Sequence, residues 1–314
     1  MSDATGATPS RLEAWAMAAR PQTLPAAAAP VIVGTALAVR DGVFAPLPAA
    51  AALVGAALIQ IGTNLANDYY DAVKGADTDD REGFTRVTQA GLIRPATVRR
   101  ATAITFGLAI LVGTYLVAVG GVPILVIGLA SVLSGIAYTG GPYPLGYHGL
   151  GDLFVFVFFG LVAVTGTYYV QAAALLATGL PTAVPPGTVT PEVAVASLPI
   201  AAVATNILVV NNVRDLETDR EAGKRTLAVR IGYAGSRVQF VALLALAYLV
   251  PPALWLTAGF GPTVCLPLVT LPLAVGVTRA VRTRTDGAAL NPALERVGRL
   301  LAAYAVTFAV GIVL

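Results

Sequence analysis

The chain is written in long apolar blocks separated by short polar ones. Nine stretches are mostly apolar over about the 20 residues that a membrane-crossing helix needs. They run over 24–39, 47–70, 98–119, 122–138, 153–177, 193–213, 236–257, 262–281 and 297–314. None alternates like a strand, and all are longer than barrel strands, so the pattern predicts an all-α, polytopic membrane protein with nine transmembrane helices. Pro25 and Pro30 blur the start of the first span. Residues 1–19 are polar or weakly amphipathic and lack a basic segment followed by a cleavable apolar core. They are read as a cytoplasmic N-terminal segment, with 20–314 forming a single membrane domain.

Composition supports this pattern. Of 314 residues 56% are hydrophobic and 12% charged, about half the charge of a soluble domain. That excludes a water-soluble globule, a disordered chain and a nucleic-acid-binding tail, and makes the lipid bilayer the surrounding partner. A single cysteine, Cys265, excludes an intrachain disulfide and a thiolate zinc site. With one histidine, His148, any metal must be held by oxygen ligands. The 32 glycines suit helices that approach closely in lipid.

Nine spans sort the charges onto one side. Of the 20 basic residues only Arg40 falls opposite, and of the 17 acids only Asp41 and Glu192. Basic residues mark the cytoplasmic side, so the N-terminus and the working face are expected there, in the cell membrane.

Two polar clusters lie at inner span ends. In the second span Asn64, Asp68 and Asp71 are spaced i, i+4, i+7, with Asn67 four before Asp71, all within roughly a 100° arc of one helical face. At the end of the sixth, Asn211, Asp215 and Asp219 are spaced i, i+4, i+8. One such cluster reads as readily as a solvated rim. Two, each reaching through an Asn into apolar sequence where an unpartnered polar group is costly, point to a site. Carboxylate and amide oxygens suit Mg²⁺ shared with phosphates. Lys74, Arg81 and Arg86 follow the first cluster, and Arg220, Lys224 and Arg225 the second, as candidate diphosphate ligands. A diphosphate site opening into lipid suits a substrate with a long apolar tail. The chemistry favoured is ionisation to an allylic cation.

The segments RPQTLPAAAAPVIVGTALA (20–38), NLANDYYDAVKGADTDDREGFTRVTQAGLI (64–93), YTGGPYPLGYHGLGDLFVFVFFG (138–160) and NNVRDLETDREAGKRTLAVRIG (211–232) carry a resemblance. They are similar to the UbiA superfamily of intramembrane prenyltransferases, and within it to the 1,4-dihydroxy-2-naphthoate polyprenyltransferases of menaquinone biosynthesis. The resemblance implies nine helices around a central cavity and Mg²⁺-dependent transfer of a polyprenyl group from polyprenyl diphosphate. It places metal-diphosphate ligands at Asn67, Asp68 and Asp71 and at Asp215 and Asp219, the four aspartates being catalytic. The superfamily pattern expects a third acid at position 75, which is Gly75 here, and Asp77 follows. Asp79, Asp80 and Glu82 read as solvated or paired with Arg81. The resemblance further implies that the cation attacks the naphthoate carbon bearing the carboxylate and that CO₂ leaves, giving demethylmenaquinol.

Other residues have a plain and a functional reading. Tyr138, Tyr143 and His148 flank a Gly–Pro-rich loop that covers the pocket or merely turns at the interface. Arg20 binds the acceptor carboxylate or anchors the first span. Asn64 and Asn211 border the substrate pocket. Tyr69 and Tyr70 face a cation or the interface; Tyr168, Tyr169 and Gln171 receive no role. Two alternatives stand beside the naphthoate reading. One is the same fold with 4-hydroxybenzoate or homogentisate as acceptor; the other is a cation-coupled transporter, which would place its acids near the midplane instead.

Overall fold

The computed structural model describes residues 9–74 and 86–314, with Lys74 described by its backbone alone. Lys74 as a phosphate ligand, and Arg81, Asp77, Asp79, Asp80 and Glu82, therefore lie outside the described side chains. The helices are α1 Arg11–Ala19, α2 Leu24–Arg40, α3 Pro46–Lys74 and α4 Pro95–Ala137. They continue as α5 Gly151–Leu176, α6 Pro191–Arg214, α7 Leu216–Glu221, α8 Leu227–Thr257, α9 Pro262–Thr283 and α10 Gly287–Val313. Among the described residues eight helices are long and apolar enough to cross a membrane, α1 and α2 being taken together.

The difference between eight helices and nine apolar stretches lies in α4. Its 43 residues would extend about 65 Å if straight, twice the hydrocarbon thickness. It breaks at Gly121, with φ 68° and ψ −152°. The ring of Phe106, before the break, lies against Gly135 after it, so α4 folds back as a hairpin. A Cβ at position 121 would run into the Pro181 carbonyl, and the positive φ itself calls for glycine. The backbone groups freed by the break are satisfied by neighbours, as lipid demands. Val122 N–H donates to the Pro181 carbonyl at 2.9 Å, and the Tyr169 hydroxyl donates to the Gly120 carbonyl at 2.9 Å. Counting both arms, the described residues hold nine crossing segments.

Helix α6 runs through the middle. Ile200, Ala202, Val203, Val210 and Val213 are buried in one cluster with Phe240 of α8 and Leu300, Tyr304 and Phe308 of α10. Helix α5 approaches so closely that a Cβ on Gly160 would collide with Ala201. There the turns over Phe156–Val162 widen to a π-helix. In contrast α4 turns Ile104, Leu108 and Leu111 outward, toward lipid.

The structure extends the apolar pattern at three places. Part of residues 1–19 is folded against the membrane domain. Ser10 and Glu13 form a capping box for α1, whose Ala14 and Ala18 pack with Leu65, Val87, Ile93 and Val98. Helix α10 begins at Gly287, well before the apolar stretch at 297, and α8 opens with a turn at Leu227 that breaks at Gly232 (φ 69°, ψ −179°) just before the stretch at 236. Their first turns project beyond the apolar layer. In α10 Leu290, Ala293 and Val297 are buried while Glu295, Arg296 and Arg299 are exposed.

Candidate functional site

The inner end of α3 presents its polar face to the bundle. Asp68 and Asp71 are 1% and 3% exposed, and the chain returning after residue 85 packs onto them. Arg86 Nη2 donates to Asp71 Oδ2 at 2.7 Å. Asp68 Oδ2 accepts from the Thr88 hydroxyl at 2.6 Å and the Thr88 N–H at 3.2 Å. Asn67 Oδ1 accepts from the Thr139 hydroxyl at 2.9 Å. Asn64 donates to the Ala19 carbonyl and to Thr23 Oγ1, both at 2.9 Å.

The second cluster forms where α6 gives way to α7. The chain turns at Asp215 (φ −92°, ψ 9°), which places its carboxylate back against the preceding residue. Arg214 holds it with two hydrogen bonds of 2.7 Å, Nε to Oδ1 and Nη2 to Oδ2. The same guanidinium donates to Asn211 Oδ1 and to Asn291 Oδ1 of α10, each at 2.8 Å. Asn211 therefore supports the Arg214–Asp215 pair and is not on the cavity wall. Asp219 pairs with Lys224 at 3.3 Å. Arg220 is exposed and paired with Glu217, and Arg225 is also exposed.

The loop after α4 brings the clusters together. From it the Tyr147 hydroxyl donates to Asp71 Oδ1 at 2.6 Å. The Tyr147 carbonyl accepts from Arg225 N–H at 2.8 Å, and Lys224 Nζ stands 5.1 Å from the Tyr147 ring centre. Arg230 Nη2 donates to the His148 carbonyl at 3.0 Å. Gly149, at φ 76°, lets the chain turn where a Cβ would come within 2.9 Å of Arg230 Nε. Tyr138, one residue past α4, is held well above its ordinary pKa by burial and then by the carboxylates of Asp152, Asp219 and Asp71. Its phenol stays protonated between both clusters.

Tyr143 and His148 do not reach the acids. Their rings stack at 3.6 Å, His148 Nδ1 lies 2.9 Å from the Pro144 carbonyl, and Tyr143 is 57% exposed. They build the loop, because that stack is its own local core. Arg20 occupies the turn between α1 and α2 in the left-handed region, φ 52°.

Beneath the polar mouth lies a cavity of about 620 Å³ bounded by α2, α3, both arms of α4 and α5. Gln60, Thr63, Asn64, Asn67 and Tyr138 line it on the side of the acids; its remaining walls are largely apolar, with Gly55, Gly113 and Gly128 among them. Reasoning from the sequence overlooked Tyr147, Thr88, Arg214 and Gln60. Gln60 alone carried a signal, lying four residues before Asn64 on the same helical stripe. Among the described residues no three carboxylate, imidazole or thiol groups converge on one point. The acids are arranged in two sets, each already bonded to a cation or hydroxyl. Their hard oxygens are nevertheless the donor chemistry that Mg²⁺ takes.

The sequence profile of the UbiA prenyltransferase family matches residues 27–296. The 1,4-dihydroxy-2-naphthoate octaprenyltransferase of Escherichia coli (strain K12) is 43% identical over 297 residues, covering 91% of each chain. The fold is similar to that of a UbiA homolog from Aeropyrum pernix K1 in its apo form, with TM-score 0.66 and 14% identity over 91% of this chain and 96% of that one. It is also similar to a UbiA homolog from Archaeoglobus fulgidus bound to DMAPP and Mg²⁺. That match has TM-score 0.58 and 15% identity over 94% of this chain and 99% of that one.

Proposed function

Because the chain belongs to the UbiA prenyltransferase family, we propose that it transfers a polyprenyl group from polyprenyl diphosphate to 1,4-dihydroxy-2-naphthoate. Diphosphate and CO₂ leave, and the product is demethylmenaquinol for menaquinone synthesis. The observation that carries this reading is the apolar cavity beneath a polar mouth where Tyr147 and Lys224 bring two aspartate clusters together.

The apolar walls take the prenyl tail, and the diphosphate lies at the mouth. Asn67, Asp68 and Asp71 of α3, with Asp215 and Asp219, are the residues to hold Mg²⁺. Bound there, the metal stabilises negative charge on the departing diphosphate. Arg86 and Lys224 now neutralise Asp71 and Asp219; turned to phosphate oxygens, they leave those carboxylates to the metal. Arg20, whose carbonyl is joined to the cavity wall through Thr23, is the cation proposed for the acceptor carboxylate. As the prenyl C1–O bond breaks, its electron pair leaves with diphosphate. The enclosing walls keep water from the allylic cation. The ring carbon bearing the carboxylate forms the new C–C bond. CO₂ then departs, its bonding pair returns to the ring, and no ring proton needs a base.

The polar end of the bundle is proposed to face the cytoplasm, supported by the sided distribution of basic residues. The test of function is an assay of purified protein with a polyprenyl diphosphate, Mg²⁺ and a panel of aromatic acids. Release of CO₂ with the naphthoate is expected; turnover with 4-hydroxybenzoate alone would overturn the acceptor assignment.

A further inference from the structure

At the cavity wall formed by Gln60 and Asn64, five groups form a hydrogen-bond chain with a fixed direction. The Thr23 hydroxyl donates its single proton to the Arg20 carbonyl at 2.8 Å. It can therefore only accept from the two amides that meet it, Gln60 Nε2 at 3.0 Å and Asn64 Nδ2 at 2.9 Å. The Ala19 carbonyl, 2.9 Å from Asn64 Nδ2, fixes the orientation of Asn64, whose Oδ1 receives Gln60 Nε2 at 3.4 Å. Flipping the Gln60 amide would set oxygen against oxygen at both contacts, so the orientation is determined by its partners. What remains is Gln60 Oε1. It is buried, it has no hydrogen-bond partner, and its residue is 7% exposed on the cavity wall.

A buried acceptor without a donor needs an explanation in a folded protein. This one ends a chain of donors, so it can be satisfied only by a group that brings a proton. The prenyl tail has none. The naphthoate has two hydroxyls, of which the one beside the carboxylate is engaged internally with it, leaving the 4-hydroxyl as the available donor. Gln60 lies eight residues before Asp68 on α3, about 12 Å along the axis. That separation accommodates one bicyclic ring between the amide and a diphosphate held at the acids.

We propose that Gln60 accepts a hydrogen bond from the 4-hydroxyl of the naphthoate and so selects and orients the acceptor, with its carboxylate-bearing carbon turned toward the diphosphate. The inference rests on the naphthoate reading above. Carbon 4 is meta to the reacting carbon, so the contact orients the ring and does not raise its nucleophilicity.

The test compares kcat/KM for 1,4-dihydroxy-2-naphthoate and 1-hydroxy-2-naphthoate, in the full-length protein and in Gln60→Met. The ratio of the two acceptors cancels their intrinsic reactivities when it is compared between proteins. The preference for the dihydroxy acid should fall about tenfold or more in the variant, with KM for the prenyl diphosphate unchanged within about twofold. An equal preference in both proteins, or equal losses for acceptor and prenyl diphosphate, would overturn the assignment. A second measurement needs no variant. The 4-methoxy analogue keeps the oxygen but not the proton, and the unaltered protein should use it no better than the acid lacking the 4-oxygen; equal use of methoxy and hydroxy acids refutes the contact. Failure of the unaltered protein to use any naphthoate would instead remove the reading beneath it, and the assignment with it.

Discussion

Replacing Arg214 separates what the second acid cluster does for stability from what it does for chemistry. The Arg214 and Asp215 side chains are 1% and 8% exposed and share two 2.7 Å hydrogen bonds. The guanidinium is further held by Asn211 and Asn291, so it ties α6 to α10. Removing one member of a buried ion pair costs about 3–5 kcal/mol, because the remaining charge is left without compensation. Arg214→Met keeps the aliphatic bulk and removes the donors, which leaves the Asp215 carboxylate and two amide oxygens facing it. At about 2 °C per kcal/mol, the lower end of the range for large domains, the loss corresponds to about 6–10 °C.

Thermal unfolding of the detergent-purified protein, read by fluorescence-detected size exclusion after heating, measures this shift. Arg214→Met should lose that interval, whereas Arg214→Met combined with Asp215→Asn should recover much of it, since the buried charge has gone as well. The double variant should nevertheless stay inactive, because Asp215 is proposed to hold Mg²⁺. A shift of less than about 2 °C in Arg214→Met, or a double variant no more stable than the single, would refute the reasoning that the pair is a buried, closed ion pair.

Three further outcomes follow from the same geometry. Tyr147→Phe keeps the ring beside Lys224 and removes the 2.6 Å bond to Asp71; loss of a hydrogen bond to a charged group, about 1.5–3 kcal/mol, should lower the unfolding temperature by about 3–6 °C and also reduce kcat/KM, and unchanged turnover would contradict the bridging role. Gly128 lines the cavity and a Cβ there meets nothing within 4 Å, so Gly128→Phe should fold and fill tail space; steady-state assays should show long polyprenyl diphosphates losing rate while geranyl diphosphate is retained, and equal losses for both would place the tail elsewhere. Asp71, Asp215 and Asp219 are bonded to Arg86, Arg214 and Lys224. Mg²⁺ alone should therefore raise the unfolding temperature little, and Mg²⁺ with a non-reacting prenyl thiodiphosphate should raise it by several degrees, as expected for a ligand bound only by the folded state; a full shift with the metal alone would mean a site formed without phosphate.

The sequence carried the architecture more fully than it carried the site. Apolar runs of spanning length located every crossing segment, including the fold-back of α4, because a 43-residue helix cannot stay within one bilayer. Helical spacing likewise put Asn64, Asp68 and Asp71 on one face, and the same spacing extended one turn deeper reaches Gln60. The spacing could not reveal the partners. Thr88 and Tyr147 meet Asp68 and Asp71 across 20 and 76 residues of chain, separations that only the packed bundle closes. Arg214, beside Asp215 at a helix end, reads as a solvated rim until Asn291 of α10 seals it. The sided charge singled out the end of the bundle proposed to bind a charged substrate, but not that Asp71, Asp215 and Asp219 are already paired with neighbouring bases. That pairing makes the two clusters tolerable when buried without substrate. If the acids hold metal diphosphate as proposed, binding would be an exchange of partners, with the bases moving to phosphate as the acids move to metal.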